Sequence, residues 1–304
     1  MHEDRVRGKA EVMSTQKVTV AVLGLGVMGR AMAGRILAAG LPTAVWNRRP
    51  EVAEELGRQG ARVAADPADA VRDADVVVTM VTDADAVLAV ADEGGMLAAM
   101  KSGAVWAQMS TIGVLGTDRV AQLVRDKRPD VLLVDAPVAG SKGPAERGAL
   151  TVFASGPPEA RERVKPVFDA IAQRADWVGP LGTGTRIKLV NNMLLAFEAQ
   201  GIAEALAVGD TLGLDTKTVL DALDGSPLVS AWTAQKTQRI RNGDYSPEYA
   251  LRLGLKDVEL AVATAPIDRL SVASSILAQW QRAVDRGLGN QDVTVITRAL
   301  QQEE

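Results

Sequence analysis

Three glycines near the N-terminus are spaced as in loops that hold the phosphates of a nucleotide. The segment Gly24-Leu25-Gly26-Val27-Met28-Gly29 follows an apolar, β-branched run and opens a helical pattern that continues through Ile36. In such a turn the glycines permit a tight bend and a close approach to pyrophosphate, while free N–H groups at the helix N-terminus attract the anion. We therefore predict that these six residues bind a dinucleotide. A plain strand-to-helix turn is the alternative.

Two arginines stand where the ribose of such a nucleotide would be recognised. Trp46-Asn47-Arg48-Arg49 ends the next apolar run, where NAD enzymes of this type usually carry an acid that accepts bonds from the ribose 2′-hydroxyl. No acid stands there, and guanidinium groups suit a 2′-phosphate and stack on adenine. Asn47, Arg48 and Arg49 are therefore predicted to bind NADP, with NAD as the second choice. An exposed pair of turn residues is the alternative for the arginines.

A lysine and an asparagine further along could act together on one substrate oxygen. Lys188 and Asn192 are four residues apart in a predicted helix, so they share one helix face. Spacing alone does not distinguish this pair from a polar stripe on a solvated helix, which is the commoner case.

The residue types that the chain lacks exclude several common catalytic sites. It has no cysteine, which excludes disulfides, thiolate metal sites and a cysteine nucleophile. Its one histidine, His2, lies in a polar N-terminal stretch, so we predict neither a histidine acid-base nor a metal site. Neither Tyr245 nor Tyr249 is followed four residues later by lysine, as the relay of short-chain dehydrogenases requires. A lysine or a carboxylate is left to move the proton.

The elements that must position these residues change character along the chain. From residue 18 to about 178, short β-branched runs alternate with alanine-rich amphipathic segments, a pattern typical of βαβ units on a parallel sheet. The predicted strands are 18–23, 43–46, 75–80, 104–108, 131–135 and 150–154. This pattern predicts an α/β Rossmann domain with a doubly wound, mostly parallel sheet.

Beyond residue 181 only helical patterns remain. The predicted helices are 185–212, 216–223, 251–265 and 272–286. The segment Gly179-Pro180-Leu181-Gly182-Thr183-Gly184 interrupts both patterns, and the helix that follows it should join two domains. We predict a flexible tail over 1–16, an NADP-binding Rossmann domain over 17–181 and an all-helical domain over 182–304.

Composition and charge exclude some classes of partner. The chain of 304 residues has 38 acidic and 34 basic side chains, so neither nucleic acid nor an anionic membrane is an expected partner. Residues 1–16 contain no apolar core of a signal peptide, and no apolar stretch reaches the length of a membrane span. We expect a soluble, cytoplasmic protein.

Four segments in order along the chain resemble the β-hydroxyacid dehydrogenase family. They are Gly24-Leu25-Gly26-Val27-Met28-Gly29, Val45-Trp46-Asn47-Arg48, Asp135-Ala136-Pro137-Val138 and Gly182-Thr183-Gly184-Thr185-Arg186-Ile187-Lys188-Leu189-Val190-Asn191-Asn192. That family includes 3-hydroxyisobutyrate dehydrogenases, tartronate semialdehyde reductases and glyoxylate/succinic semialdehyde reductases. The resemblance implies hydride transfer between a nicotinamide cofactor and a small carboxylate-bearing aldehyde or 3-hydroxy acid. It also implies a homodimer or homotetramer formed through the helical domain.

The same resemblance assigns roles to individual residues. It makes Lys188 the catalytic lysine and Asn192 its substrate-orienting partner. Ser110, on the substrate side, and Thr111, on the cofactor side, are expected beside the nicotinamide, and Val81 is expected to contact the cofactor.

A second group of residues follows from the C-terminal half. Leu255-Lys256-Asp257-Val258-Glu259-Leu260 is similar to the family's Lys-Asp helix motif, which reaches into the cleft from the second domain. Lys256 and Asp257 are thus expected at the substrate, Lys256 also at the cofactor, and Tyr249 where an aromatic residue often binds substrate. A solvated helix residue is the alternative for Lys256.

The loop Val138-Ala139-Gly140-Ser141 is expected to bind the substrate carboxylate through its backbone N–H groups. Ala139 stands where many members carry serine, so one hydroxyl contact to the substrate is absent. The continuation Ser141-Lys142-Gly143-Pro144-Ala145-Glu146 is more similar to the glyoxylate/succinic semialdehyde reductase branch than to the hydroxyisobutyrate branch, whose loop has two glycines at this point.

Two other functions compete with this interpretation. One is an imine reductase of related architecture, in which the central lysine is generally replaced, so that Lys188 counts against it. The other is a scaffold or sensor that binds NADP without turnover, since fold and motif do not prove activity. The presence of both Lys188 and Asn192 disfavours it.

Overall fold

The N-terminal part of the chain forms one sheet whose central strands are short, apolar and parallel. The computed structural model describes residues 17–266 and 269–301, and the predicted tail 1–16, including His2, lies outside them. The strands are β1 (Val20–Leu23), β2 (Thr43–Trp46), β3 (Arg62–Val63), β4 (Val76–Thr79), β5 (Val105–Gln108), β6 (Leu132–Asp135), β7 (Val138–Ala139), β8 (Leu150–Ser155) and β9 (Ala172–Gly179). Their spatial order is β3-β2-β1-β4-β5-β6-β8-β7, and β9 pairs with β8.

The first six strands pair in parallel and form a Rossmann sheet. Neighbouring strands from β3 to β6 are all parallel, whereas β8 runs antiparallel to β6 and β7. In such a sheet the strand order reverses between β1 and β4, and ligands bind outside the carboxyl ends of the strands at that point. The glycine-rich turn follows β1 directly, so it lies at this position.

Eight helices accompany this sheet and cover both of its faces. They are α1 (Val27–Ala38), α2 (Glu54–Arg58), α3 (Pro67–Val71), α4 (Ala84–Leu88), α5 (Met96–Ala99), α6 (Gly113–Lys127), α7 (Lys142–Glu146) and α8 (Arg161–Ile171). Alternate residues of β1 point to opposite faces. Val20 and Val22 pack in one core with α1 and α8, while Ala21 and Leu23 pack in the other with α4 and α6. Because both faces are covered, the strands are apolar throughout rather than alternating.

The rest of the chain is helical and is built around one long helix. The helices are α9 (Thr183–Thr211), α10 (Thr216–Leu223), α11 (Ala231–Arg241), α12 (Leu251–Val262), α13 (Ser271–Asp285) and α14 (Ile296–Gln301). Small residues of α9, such as Ala199 and Ala203, pack with Leu251, Leu255 and Trp280 in the core of this part. In the part of the chain that is described, no helix has the length and apolar character needed to cross a membrane.

The predicted fold class is confirmed, including the long helix that follows the sheet. Each of the six predicted strands agrees with an observed strand to within two residues, and four predicted helices correspond to α9, α10, α12 and α13. The elements that the sequence patterns missed are β3, β7, β9, α11, α14 and the short helices of the sheet region. Several of these have only two to five residues, and β9 is largely polar and partly exposed, so it has no apolar run. The division into domains at residues 181 and 182 stays a prediction.

Two glycines of α1 differ in what surrounds them, which gives a matched pair of variants. A Cβ added at Gly29 would overlap the carbonyl oxygen of Gly24, whereas one added at Gly34 would meet no heavy atom within 4 Å. We expect Gly29→Ala to lower the free energy of unfolding by on the order of 3 kcal/mol through overpacking. Gly34→Ala should raise it by about 1 kcal/mol, since alanine favours the helix. Urea denaturation measures both, and equal stabilities would contradict the close approach of α1 to the turn.

Candidate active site

Two glycines of the glycine-rich turn have different surroundings: Gly24 is crowded by its neighbours, and Gly26 is open. Gly24 has φ +95°, and a Cβ there would lie 2.7 Å from Val81 Cγ1, so a side chain does not fit. At Gly26, the N-cap residue of α1, an added Cβ would meet nothing within 4 Å. The backbone at Gly26 is therefore open to a ligand, directly before the N-terminus of a 12-residue helix. This arrangement fits a dinucleotide pyrophosphate.

The three polar residues after β2 divide into one that holds the turn and two that are free. The N–H of Leu25 donates to Asn47 Oδ1 at 2.9 Å, and Asn47 Nδ2 donates to the carbonyl oxygen of Arg49 at 3.0 Å. Arg48 and Arg49 are exposed, and neither guanidinium has a hydrogen bond or an ion pair within residues 17–266 and 269–301. Two unpaired cations thus lie near the turn, where they can bind an anion.

The ends of β4 and β5 are tied together by Ser110. Its hydroxyl accepts a hydrogen bond from the N–H of Val81 at 2.8 Å, and the residue is 1% exposed. The side chain of Gln108 accepts from the N–H of Ser110 at 2.8 Å and donates to its carbonyl oxygen at 2.9 Å. The Ser110 hydroxyl therefore has a structural partner, and its predicted contact with substrate stays a prediction.

A buried carboxylate attaches the N-terminus of α9 to the sheet. Asp135, at the end of β6, accepts hydrogen bonds from the N–H and the hydroxyl of Thr185, both at 2.7 Å. Ser155 Oγ accepts from the N–H of Gly184 at 2.9 Å. A Cβ on Gly184 would lie 2.9 Å from the carbonyl oxygen of Asp135, so only glycine allows this approach. Burial raises the pKa of Asp135, and the hydrogen bonds from Thr185 and Ser155 oppose that rise.

Lys188 lies one turn beyond this attachment and is buried without a hydrogen-bond partner. It is 9% exposed, and no described residue accepts a hydrogen bond or forms an ion pair with its ammonium group. Burial lowers the pKa of Lys188 to about 8. The charge of Asp257 raises it and that of Lys256 lowers it, both less than burial does. A lysine with such a pKa can donate or accept a proton near neutral pH.

Asn192, Asp257 and Tyr249 form a hydrogen-bonded cluster next to this lysine on α9. Asn192 Nδ2 and the Tyr249 hydroxyl both donate to Asp257 Oδ2 at 2.6 Å. Burial raises the pKa of Tyr249 well above its usual value, and the Asp257 carboxylate raises it further, so the phenol keeps its proton. The structure thus brings together four residues that the sequence predicted at one site.

Lys256 connects the helical part to the sheet. Its ammonium donates to the carbonyl oxygen of Thr111 at 2.5 Å and lies 3.0 Å from Asp257 Oδ1. That carboxylate oxygen is buried and has no hydrogen bond in the described chain. Lys256 and Thr111, both expected at the site, are therefore in contact, and Asp257 Oδ1 has Lys256 as its ion-pair partner.

The predicted carboxylate-binding loop lies at the free edge of the sheet. The N–H of Phe153 donates to the carbonyl oxygen of Pro137, and Ala139 pairs with Thr151. Hydrogen-bonded and non-hydrogen-bonded pairs alternate along two antiparallel strands, so the N–H of Val138 points away from β8. The N–H groups of Gly140 and Ser141 likewise have no partner among the described residues. β7 is the outermost strand of the order, and it contacts α9, the helix that carries Lys188.

A second buried carboxylate holds the loop that carries Tyr249. Asp292, 0% exposed, accepts from the N–H groups of Glu248 and Tyr249 at 3.1 Å and from Lys236 Nζ at 3.0 Å. Lys236 is itself 1% exposed. The charge of Lys236 and these hydrogen bonds outweigh burial and lower the pKa of Asp292.

Sequence reasoning did not single out Asp135, Asp292 or Lys236 as site residues. Asp135 was part of a motif that carried the resemblance, and its position after an apolar run is the one signal that could have marked it. Lys236 and Asp292 are 56 residues apart, and nothing in the local pattern of either one links them.

Comparison with known proteins gives matches over nearly the whole chain. Residues 19–179 match the model of the NAD binding domain of 6-phosphogluconate dehydrogenase, and residues 182–300 match that of the NAD-binding domain of NADP-dependent 3-hydroxyisobutyrate dehydrogenase. Glyoxylate/succinic semialdehyde reductase 1 of Arabidopsis thaliana is 31% identical over 92% of this chain and 98% of that protein.

Solved structures agree with these matches. A 3-hydroxyisobutyrate dehydrogenase from Salmonella typhimurium has a TM-score of 0.83 and 28% identity, covering 93% of this chain and 99% of its own. An imine reductase from Pseudomonas sp. has a TM-score of 0.60 and 25% identity over 93% of this chain and 99% of its own. The similarity to imine reductases is thus more distant in shape.

The buried charge of Lys188 should make stability depend on pH. An unfolded lysine titrates near ~10.4, while the folded pKa is about 8. Between these values the unfolded chain holds more protons, so the free energy of unfolding should rise with pH through this window. Below it both states are protonated, and the folded state carries the whole cost of burial, on the order of 3 kcal/mol.

We therefore expect Lys188→Met to raise the free energy of unfolding at pH 7 by on the order of 1–3 kcal/mol and to abolish the alkaline rise. Urea denaturation at pH 7 and at about pH 9.5 measures both. Lys165→Met is the control, since that side chain is 58% exposed on α8. A Lys188→Met protein less stable than the wild type at pH 7 would contradict the burial of an unpaired ammonium.

Proposed function

The chain belongs to the β-hydroxyacid dehydrogenase family, and from this premise we propose that it reduces a small carboxylate-bearing aldehyde, or oxidises the matching 3-hydroxy acid, with Lys188 as its acid-base group. It is an NAD(P)-dependent oxidoreductase that acts on hydroxyl groups. One observation carries the assignment to Lys188. This lysine is buried, without a partner, one turn from the attachment of α9 to the sheet, and its pKa is about 8.

In the reductive direction Lys188 donates its proton to the aldehyde oxygen. A nicotinamide cofactor held at the glycine-rich turn would supply the hydride to the carbon, and with the proton from Lys188 this would convert the carbonyl to the alcohol. In the reverse direction the free amine of Lys188 takes the hydroxyl proton. Asn192, held by Asp257, orients the substrate beside the lysine.

The substrate carboxylate is held by backbone N–H groups rather than by a side-chain hydroxyl. Val138, Gly140 and Ser141 present unpaired N–H groups at the edge of the sheet, where β7 contacts α9, and such groups bind anions. Ala139 offers no hydroxyl. The ammonium group of Lys256, which donates to the carbonyl oxygen of Thr111, adds a positive charge that attracts the carboxylate. Glyoxylate and succinic semialdehyde are the first substrates to test, given the loop after Ala139 and the 31% identical plant reductase.

Competing functions find less support. A scaffold that only binds NADP does not need a buried ammonium, which costs stability without a structural partner. The imine reductase reading is disfavoured by Lys188 itself and by the lower TM-score of 0.60. We also propose a cytoplasmic homo-oligomer formed through the helical part, with neither nucleic acid nor membrane as a partner.

Substrate and proton transfer are tested together by a panel assay. We expect turnover with glyoxylate, succinic semialdehyde, tartronate semialdehyde or 3-hydroxyisobutyrate. The rate of oxidation should rise as pH passes about 8, and reduction should be favoured nearer neutrality.

Lys188→Ala should lose at least ~100-fold in kcat in both directions and keep its NADP affinity, because the lysine contacts the reacting oxygen. Near-native turnover of this variant, with the same alkaline rise, would assign the proton to another group.

Cofactor choice should depend on Arg48 and Arg49. Replacing both by alanine removes the two unpaired guanidiniums, so affinity for NADP should fall about 10- to 100-fold, while affinity for NAD changes little. Isothermal titration with each cofactor measures this, and Arg58→Ala, at an exposed position on α2, serves as the control. Equal weakening of both cofactors, or a native preference for NAD, would contradict the assignment.

A further inference from the structure

The segment that leads from β5 into α6 is held by both the sheet and the helical part. It consists of residues 110–113, which we call the β5–α6 turn, and it includes Thr111, which we predict beside the nicotinamide. The hydroxyl of its first residue, Ser110, accepts from the N–H of Val81 in the sheet region. Its last residue, Gly113, faces α12 instead. The turn therefore connects the two parts of the chain where the cofactor is expected.

Two features require glycine at position 113. Its φ of +71° lies in the left-handed region, which residues with a side chain rarely adopt. A Cβ added there would lie 2.7 Å from Leu260 Cδ2, closer than two such atoms approach. At Gly213, which has a similar φ of +77°, an added Cβ would meet no heavy atom of the described chain within 4 Å. Gly113 therefore differs from an ordinary turn glycine, because a side chain of α12 occupies the space beside it.

Two successive turns of α12 contact the β5–α6 turn. Lys256 and Leu260 are four residues apart, so they lie on one face of that helix. Lys256 Nζ donates to the carbonyl oxygen of Thr111, and Leu260 covers Gly113. Both contacts need the backbone of the turn to lie close to α12. The missing side chain at Gly113 allows this approach.

The carbonyl group of Gly113 is tied to α9. It accepts a hydrogen bond from Thr117 Oγ1 at 2.9 Å. The same hydroxyl lies 3.1 Å from Thr185 Oγ1 on α9, which in turn donates to Asp135. Thr117 and Thr185 are 5 and 1% exposed, so water does not compete for these bonds. The β5–α6 turn is thus connected to the residue that attaches α9 to the sheet, and Lys188 follows that residue by one helical turn.

We propose that Gly113 is a positioning residue for hydride transfer, because it allows α12 and α9 to hold Thr111 at a fixed distance from Lys188. The inference rests on the proposed function, in which the nicotinamide lies beside Thr111 and Lys188 contacts the reacting oxygen. Reacting atoms must come within about 3–3.5 Å of each other, and a misplacement of about 1 Å can cost about 100-fold in rate. A displaced turn should therefore slow the transfer more than it weakens the binding of the cofactor.

The first test compares two glycines of similar backbone conformation in the full-length chain. Gly113→Ala should lower kcat about 10- to 100-fold, while the affinity for NADP, measured by isothermal titration, should change less than about twofold. Gly213→Ala introduces similar backbone strain just beyond the C-terminal end of α9 and should keep the native kcat. Both variants should lower the urea midpoint. A loss of kcat in both variants, or in neither, overturns the proposal.

A second substitution tests the contact with α12. Leu260→Ala removes the atoms that a Cβ at position 113 would overlap and leaves only the Cβ at position 260, at an ordinary contact distance of 3.5 Å. Added to Gly113→Ala, it should restore about 10-fold of the lost kcat. In the chain without cofactor, the effects of the two substitutions on the urea midpoint should be less than additive. Additive effects on either quantity overturn the proposal.

The connection to α9 is tested by a matched pair at position 117. Thr117→Val removes the hydroxyl that binds the carbonyl oxygen of Gly113, so kcat should fall at least about threefold. Thr117→Ser keeps that hydroxyl and should keep kcat. This pair decides the matter if Gly113→Ala does not fold, and equal kcat values for the two variants then overturn the proposal.

Failure of this inference can be distinguished from failure of the proposed function. A wild-type chain that turns over no substrate of the panel contradicts the proposed function and this inference with it. An active wild type beside an equally active Gly113→Ala variant contradicts this inference alone.

Discussion

The attachment of α9 to the sheet by the Asp135 carboxylate is the constraint on which the rest of the site depends. A buried carboxylate is costly unless hydrogen bonds satisfy it, and here the N–H and hydroxyl of Thr185 do so. The carboxylate in turn gives the N–H of Thr185 an acceptor, which the N-terminal N–H groups of a helix lack within the helix itself. Because α9 is a regular helix from that point on, its attachment fixes the distance of Lys188 and Asn192 from the carboxyl ends of the strands.

The site is completed by residues from far along the chain. Asp257 accepts from Asn192 on α9 and from Tyr249 in the preceding loop, and Lys256 donates across to Thr111 in the sheet region. Asp292 and Lys236 form a buried ion pair that fixes the backbone before α12. A pair of this kind contributes little net stability, but removing one partner leaves an unpaired buried charge. Its effect here is to fix the position of Tyr249.

Function and stability oppose each other at one place in α9. Lys188 is buried without a partner, which lowers its pKa to about 8 and suits proton transfer, yet an apolar residue there would be more favourable for folding. The proposed role of Lys188 explains its burial, because folding gains nothing from an unpaired ammonium group there.

The sequence by itself determined the parallel sheet, the nucleotide turn and the long helix, because these depend on local signals: β-branched runs, glycine spacing and helical periodicity. It also placed Lys188 and Asn192 on one helix face, but only the family resemblance distinguished them from a solvated stripe. The tertiary structure decided that Lys188 is buried, that Ser110 is engaged with Val81, and that Lys236 meets Asp292. Those facts depend on which distant segments pack together, and desolvation and hydrogen-bond partners exist only after that packing has formed.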